Sequence, residues 1–282
     1  MGNQAESHFQ KLNGLRLHYV EWGDPSATPM VLLHGLRAYA HWFDAFAEAV
    51  KDRYRVLALD QRGRGDSDRA PDGDYTREAY VRDLEAFVDA LGLERFIILG
   101  HSMGGLNGIH YASRHPERVI ALINVDVGPD IDPAGLERIR KELGETPDSF
   151  ASWEDAAAFL VKRHPRASEE HRAIRLRWMF RESPDGTIAW RIDPAIFDPN
   201  LRADSRDETW AAWKGLGCPT LIVRGGVTDI LTEETCEEMV AALPNSRWVE
   251  VPEAGHMVLE DNPEGFNAAS LAFLQTLEGG SN

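Results

Sequence analysis

Phe96-Ile97-Ile98-Leu99-Gly100-His101-Ser102-Met103-Gly104-Gly105 joins an apolar run of strand character to a segment, Leu106 to Arg114, that can continue as a helix. A serine therefore sits on a strand-to-helix turn, the arrangement of a nucleophile elbow. In so tight a turn, side chains at Gly100 and Gly104 would collide with neighbouring backbone, and the turn lifts the serine hydroxyl clear of the sheet. The pattern G-x-S-x-G is weak by itself, because serine between glycines is common in ordinary turns. The strand before it and the helix after it give it weight.

The other parts of a hydrolytic site follow in a usable order. His34-Gly35 ends the apolar run Met30-Val31-Leu32-Leu33, so the next main-chain N–H, that of Leu36, can turn toward the serine. With the N–H of Met103 it would form an oxyanion hole, two fixed donors aimed at the charge that develops on a carbonyl oxygen. Near the C-terminus Arg247 to Val251 reads as a short strand, and Pro252-Glu253-Ala254-Gly255-His256 follows it. Among ten histidines, His256 alone lies just past the last strand, and it is the candidate general base.

At these residues the chain resembles the α/β-hydrolase superfamily from about Leu15 to Leu277. Asp60-Gln61-Arg62-Gly63-Arg64-Gly65-Asp66-Ser67, after the strand Val56 to Leu59, adds a loop typical of that family, and its glycines and charges are expected to brace the elbow. The resemblance implies an α/β fold with a mostly parallel central sheet, helices on both faces and a helical cap insertion. It also implies a Ser102–His256 pair completed by an acid, for which two aspartates compete. Many relatives carry the acid three residues after the glycine that ends the strand before the histidine strand. Counted from Gly225, that position is Thr228, and Asp229 lies one residue late unless the register starts at Gly226. Asp126 ends the strand Val119 to Val125, at the spacing from Ser102 seen in a branch that draws its acid from that strand. Asp126 is preferred, with Asp229 the alternative.

A chain of 282 residues with 43% hydrophobic content can bury a large core and suits one catalytic domain with an insertion. Strand-like runs at Leu15–Trp22, Met30–Leu33, Val56–Leu59, Phe96–Leu99, Val119–Val125, Thr220–Val223 and Trp248–Val251 alternate with helical stretches after the first pair. The clearest helix runs from Arg77 to Leu91, with Thr76 as its cap and Gly92 as its stop. From Gly128 to about Lys214 the alternation ceases, and prolines from Pro133 to Pro199 interrupt a segment of helical character. Residues 1–128 and 215–282 are thus expected to form the core domain, and 129–214 the cap. Five of the eight tryptophans fall in the cap: Trp153, Trp178, Trp190, Trp210 and Trp213. Most are expected to pack between cap helices. The cap is also rich in arginine, including Arg163, Arg166, Arg172 and Arg175, and one or two of these could pair with a substrate carboxylate.

A formal net charge of −16 argues against a nucleic-acid partner, since phosphate binding needs a basic surface. Met1-Gly2-Asn3-Gln4-Ala5-Glu6-Ser7 has neither the basic start nor the apolar core of a secretory signal, and no stretch approaches a membrane span. Cys218 and Cys236 fit neither zinc spacing nor a disulfide framework. The expectation is a cytoplasmic enzyme needing no cofactor or metal, with a small-molecule substrate as partner and no oligomeric state implied. It would cleave a small carboxylic ester, lactone or amide through an acyl-enzyme. Carbon–carbon bond hydrolases, cofactor-free haloperoxidases and slow-turnover ligand-sensing receptors share the same constellation of residues.

Overall fold

The computed structural model describes residues 5–197 and 205–278; Pro199 and the first four residues lie outside them. The chain runs β1 (Glu6–Leu12), β2 (Leu15–Trp22), β3 (Thr28–Leu33), α1 (Asp44–Val50), β4 (Tyr54–Leu59), α2 (Arg77–Ala90), β5 (Phe96–His101), α3 (Met103–Arg114) and β6 (Val119–Val125). It continues as α4 (Pro133–Gly144), β7 (Ser149–Phe150), α5 (Trp153–Arg163), α6 (Glu169–Met179), β8 (Phe180–Glu182) and β9 (Ile188–Trp190). The last part is α7 (Arg206–Lys214), β10 (Thr220–Gly225), α8 (Glu233–Ala242), β11 (Ser246–Val251), α9 (Val258–Asp261) and α10 (Pro263–Glu278).

Eight strands form one sheet in the order β1-β2-β4-β3-β5-β6-β10-β11. From β4 to β11 the pairing is parallel, and β2 meets both β1 and β4 antiparallel. The central strands are buried on both faces, and alternate residues serve opposite cores. Val31, Leu57, Ile98, Leu122 and Ile222 pack with Leu84 and Phe87 of α2 and Ile109 of α3. Leu32, Val56, Leu99, Ile123 and Val223 pack with Phe46 of α1 and Phe266 and Phe273 of α10. Each such apolar side chain contributes about 1.5–3 kcal/mol on burial, so the register of the strands is fixed from both sides. The fold is therefore the expected α/β-hydrolase arrangement, its strands ending together at the carboxyl edge where open α/β sheets bind ligands.

Two features differ from the sequence reading. β1 was not expected: its residues Glu-Ser-His-Phe-Gln-Lys-Leu are mostly exposed, as befits an edge strand covered on one side only. It is turned back onto β2 by Asn13 and Gly14, both at positive φ (50° and 81°), the conformation of a type I′ hairpin turn. The segment between β6 and α7 is also not purely helical. Besides α4, α5 and α6 it holds a three-stranded antiparallel sheet, β7-β9-β8. Strands of two or three residues carry no periodicity, so they escape sequence patterns. They are held by a cluster of rings in which Trp190 lies 4.5 Å from Phe180 and 5.7 Å from Phe150.

The expected helix after Thr76 is present, with the Thr76 hydroxyl accepting from the Ala79 N–H at 3.3 Å and Gly92 at φ +64° just past its end. The first turn of α3 presses on the end of β3. A Cβ on Gly104 would meet the Leu33 carbonyl oxygen and lie 2.7 Å from that of His34. Gly104→Ala should therefore lower unfolding free energy by about 3 kcal/mol, seen as a lower urea midpoint at unchanged slope.

Candidate active site

Ser102 stands between β5 and α3 at φ 52°, ψ −122°, a conformation that non-glycine residues rarely adopt and that costs of order 1–3 kcal/mol. The surrounding packing imposes it. A Cβ on Gly100 would come within 2.5 Å of the Gly104 carbonyl oxygen, so the chain can close this turn only with glycine there. The Ser102 N–H donates to Val125 O of the neighbouring strand at 3.0 Å, and the Leu106 N–H donates to Ser102 O at 3.1 Å. The hydroxyl is part-exposed and lies 3.0 Å from His256 Nε2.

His256 reaches that position from the loop after β11. Gly226 N–H to Val251 O and Val227 N–H to Ala254 O, both 2.9 Å, zip this loop to the one following β10. Its Nδ1 lies 2.8 Å from Asp126 Oδ2. Asp126 is fully buried at the end of β6, at φ 51°, and its carboxylate also accepts from the Gly225 N–H (2.9 Å) and the Thr228 hydroxyl (2.6 Å). The acceptor bond to Nδ1 puts the proton on that nitrogen and leaves the Nε2 lone pair facing Ser102.

Of the two competing aspartates, only Asp126 contacts the imidazole. Asp229 is instead gripped by Arg138 of α4, Nε at 2.5 Å and Nη2 at 2.7 Å. That guanidinium holds the Asp229 carboxyl below the usual carboxylate range. Thr228 was not singled out as a functional group, yet its hydroxyl is the donor on Asp126. The only sequence signal for it was its place three residues after Gly225.

Leu36 and Met103, the expected oxyanion donors, both line the same cavity as Ser102 and His256. Met103 opens α3, so its N–H belongs to the first turn and lacks an intrahelical acceptor. The Asp60–Ser67 loop braces this corner, as expected. Gln61 donates its side-chain amide to His34 O at 2.7 Å, and Arg64 reaches both Leu36 O (3.1 Å) and Met103 Sδ (3.4 Å).

The cavity has a volume of about 640 Å³ and lies between the sheet edge and the inserted segment, which contributes Ile139, Phe159 and Trp190 to its wall. Of the five tryptophans noted above, only Trp190 lines it; Trp213 is buried against α8 and Trp178 stacks on His41 at 3.7 Å. One inserted helix is tied to the histidine loop by a buried ion pair. Arg175 of α6 donates to Glu260 of α9 at 2.7 Å and 2.9 Å, and Trp42 Nε1 donates to the same carboxylate at 2.7 Å.

Two buried imidazoles beside the site must stay neutral. His34 donates from Nδ1 to Gly35 O (2.8 Å) and accepts the Gln61 N–H at Nε2 (3.1 Å), so a second proton would confront a donor. Burial pushes its pKa down to about 4 and takes that of His101 well below 6.5, the nearby His256 adding to the latter. Both folded values lie under the unfolded one, so below pH 6.5 the unfolded chain binds the extra protons. Stability should then fall as pH drops from 6.5 toward 4, by about 1.4 kcal/mol per pH unit for each histidine, and His34→Gln should flatten that slope in urea titrations across the range.

The family model described as alpha/beta hydrolase fold matches residues 28–263. A 3-hydroxybutyrate-oligomer hydrolase of Cupriavidus necator is 35% identical over 262 residues, covering 86% of this chain and 87% of the relative. An N-formylmaleamate deformylase of Pseudomonas putida is 30% identical, covering 93% and 94%. Among solved structures, an alpha/beta hydrolase from Novosphingobium aromaticivorans superposes with a TM-score of 0.85 at 34% identity, covering 96% of this chain and 98% of that one.

Proposed function

The chain belongs to the alpha/beta hydrolase fold family and is a hydrolase, and on that footing we propose that it transfers an acyl group from a small ester, lactone or amide to water. The observation that carries this reading is the unbroken chain Ser102 Oγ, His256 Nε2, His256 Nδ1, Asp126 Oδ2, with links of 3.0 and 2.8 Å, at the wall of a cavity sized for a small molecule.

In this mechanism His256 Nε2 takes the Ser102 proton as Oγ bonds to the substrate carbonyl carbon. The carbonyl oxygen becomes an oxyanion held by the Leu36 and Met103 N–H groups, each worth about 3–4 kcal/mol of barrier. The imidazolium returns its proton to the leaving oxygen or nitrogen, the bond to that atom breaks, and an acyl-serine remains. Water then repeats the sequence on the acyl carbon and releases acid and serine. Asp126 keeps Nδ1 protonated and stabilises the imidazolium without taking the proton.

Several observations support the assignment. Among the described residues Asp126 has no cationic partner besides His256, and its other donors are neutral, so its charge is available to the imidazole. Asp229 spends its charge on Arg138. Residues 129–214 are read as a cap, because side chains of α4, α5 and β9 wall the cavity. Relatives named for a hydroxybutyrate oligomer and for an N-formyl compound favour turnover of an acyl carbonyl over slow ligand sensing. Among the described residues no helix is long and apolar enough to cross a membrane, and both cysteines are buried and unpaired, which suits a reducing cytoplasm.

Ser102→Ala should abolish release of nitrophenol from p-nitrophenyl butyrate. Asp126→Asn should cut kcat by about ten-thousandfold by leaving the wrong tautomer facing serine, whereas Asp229→Asn should change it only a few-fold. A crippling Asp229→Asn with a mild Asp126→Asn would reverse the acid assignment. Full activity in Ser102→Ala would overturn the mechanism.

A further inference from the structure

The cavity beside Ser102 has the opposite electrostatic character to the rest of the chain. The protein carries a formal charge of −16, yet among the described residues seven arginines and three carboxylates, Glu142, Asp229 and Asp261, contribute to the cavity wall. A recess lined by one sign of charge between low-dielectric walls concentrates ligands of the other sign.

Most of these arginines already have partners. Arg138 is bound to Asp229 and Glu142, Arg37 and Arg163 converge on the same Glu142, and Arg175 is sealed against Glu260. Arg140 and Arg166 line the cavity without an ion pair or hydrogen bond among the described residues, and of these two Arg166 is the one beside the histidine loop. Its Nη1 comes within 3.0 Å of where a Cβ on Gly255 would stand, one residue before His256. The nearby Asp261 carboxylate accepts from the Gly255 N–H at 2.8 Å and attracts Arg166 without forming an ion pair with it. The turn that presents Arg166 is braced, since the Ala167 N–H donates to His164 O at 3.2 Å and Arg172 donates to the carbonyls of both His164 and Ala167. A planar guanidinium with five donors, held beside the histidine loop with no hydrogen bond among the described residues, suits a carboxylate.

We propose that Arg166 is a specificity-determining residue that binds a carboxylate of the substrate, so that this hydrolase selects anionic acyl compounds over neutral ones. The inference rests on the acyl-transfer reading above and adds the substrate's charge to it. The carboxylate pairs with Arg166 while the scissile carbonyl lies against Ser102, and the remaining positive charge of the cavity wall draws the anion past an acidic surface.

Matched esters test this. Mono-p-nitrophenyl succinate carries the charge on the acyl side and p-acetoxybenzoate carries it on the leaving group; p-nitrophenyl butyrate and methyl p-acetoxybenzoate are their neutral counterparts. The expected result is that Arg166→Gln loses about ten- to a hundredfold more kcat/KM on at least one charged ester than on its neutral partner. The loss should lie mainly in KM, Arg166→Lys should recover part of it, and added salt should erode the wild-type preference. Whichever charged ester responds identifies the side of the scissile bond that faces Arg166. Equal losses on both members of each pair, or no loss on any, would overturn the proposal. Because the neutral esters report hydrolysis independently, the absence of any charge-selective loss in Arg166→Gln with Ser102-dependent turnover intact sinks only this inference, while turnover that survives Ser102→Ala sinks the reading beneath it.

Discussion

Everything in the site is measured from one steric constraint, the closeness of the first turn of α3 to the ends of β3 and β5. Glycine at 100 and 104 lets two backbones approach where any side chain would meet a carbonyl oxygen. The resulting turn drives Ser102 into a positive φ, and that strain is held by hydrogen bonds to β6 and within α3. Asp126 is bent the same way at the end of the next strand, so two neighbouring strands each deliver one functional side chain at an unusual backbone angle. Strain of this kind persists only where the surrounding packing over-determines it, and here a sheet buried on both faces supplies that packing.

Around this corner, polar groups are buried in matched sets. His34, Gln61 and Asn107 form a relay behind the end of β3 and the first turn of α3. Asp60, fully inside the protein, accepts from His18 at 2.7 Å and from the Ala40 N–H at 2.6 Å. Arg62 and Asp83 pair nearby through two contacts of 2.6 and 2.8 Å. Such networks need not add net stability, but removing one member leaves another without a partner in a dry environment. They fix the loop after β4 against the elbow, which keeps the Leu36 and Met103 backbone in one arrangement.

Much of this was legible in the sequence because tight turns and buried parallel strands leave strong local marks. The apolar runs at Val56, Phe96, Val119 and Thr220 mark strands because both faces are covered, and Thr76 and Gly92 bracket α2 because capping needs those residue types. Ser102 and His256 could be singled out from turn glycines and from their order after particular strands. The rest depended on long-range geometry. Spacing alone favours Asp126 over Asp229 only modestly, and the contact with His256 on one side and with Arg138 of α4 on the other is what separates them. The edge strand β1 hides behind polar residues, although Asn13-Gly14 is a hairpin signal. The small sheet β7-β9-β8 exists through packing of aromatic rings, which no periodicity records.

The inserted segment is fastened to the core by attachments of very unequal strength. Drawing α6 away would leave the charges of Arg175 and Glu260 stranded in the interior, at about 3–5 kcal/mol. Parting Arg138 from the half-exposed Asp229 merely trades a surface pair for water, at under about 1 kcal/mol. Yet Arg37 of the core also grips Glu142 of α4 in a largely buried pair, so the roof over Ser102 is pinned at two helices, and lifting it means uncovering charge at both.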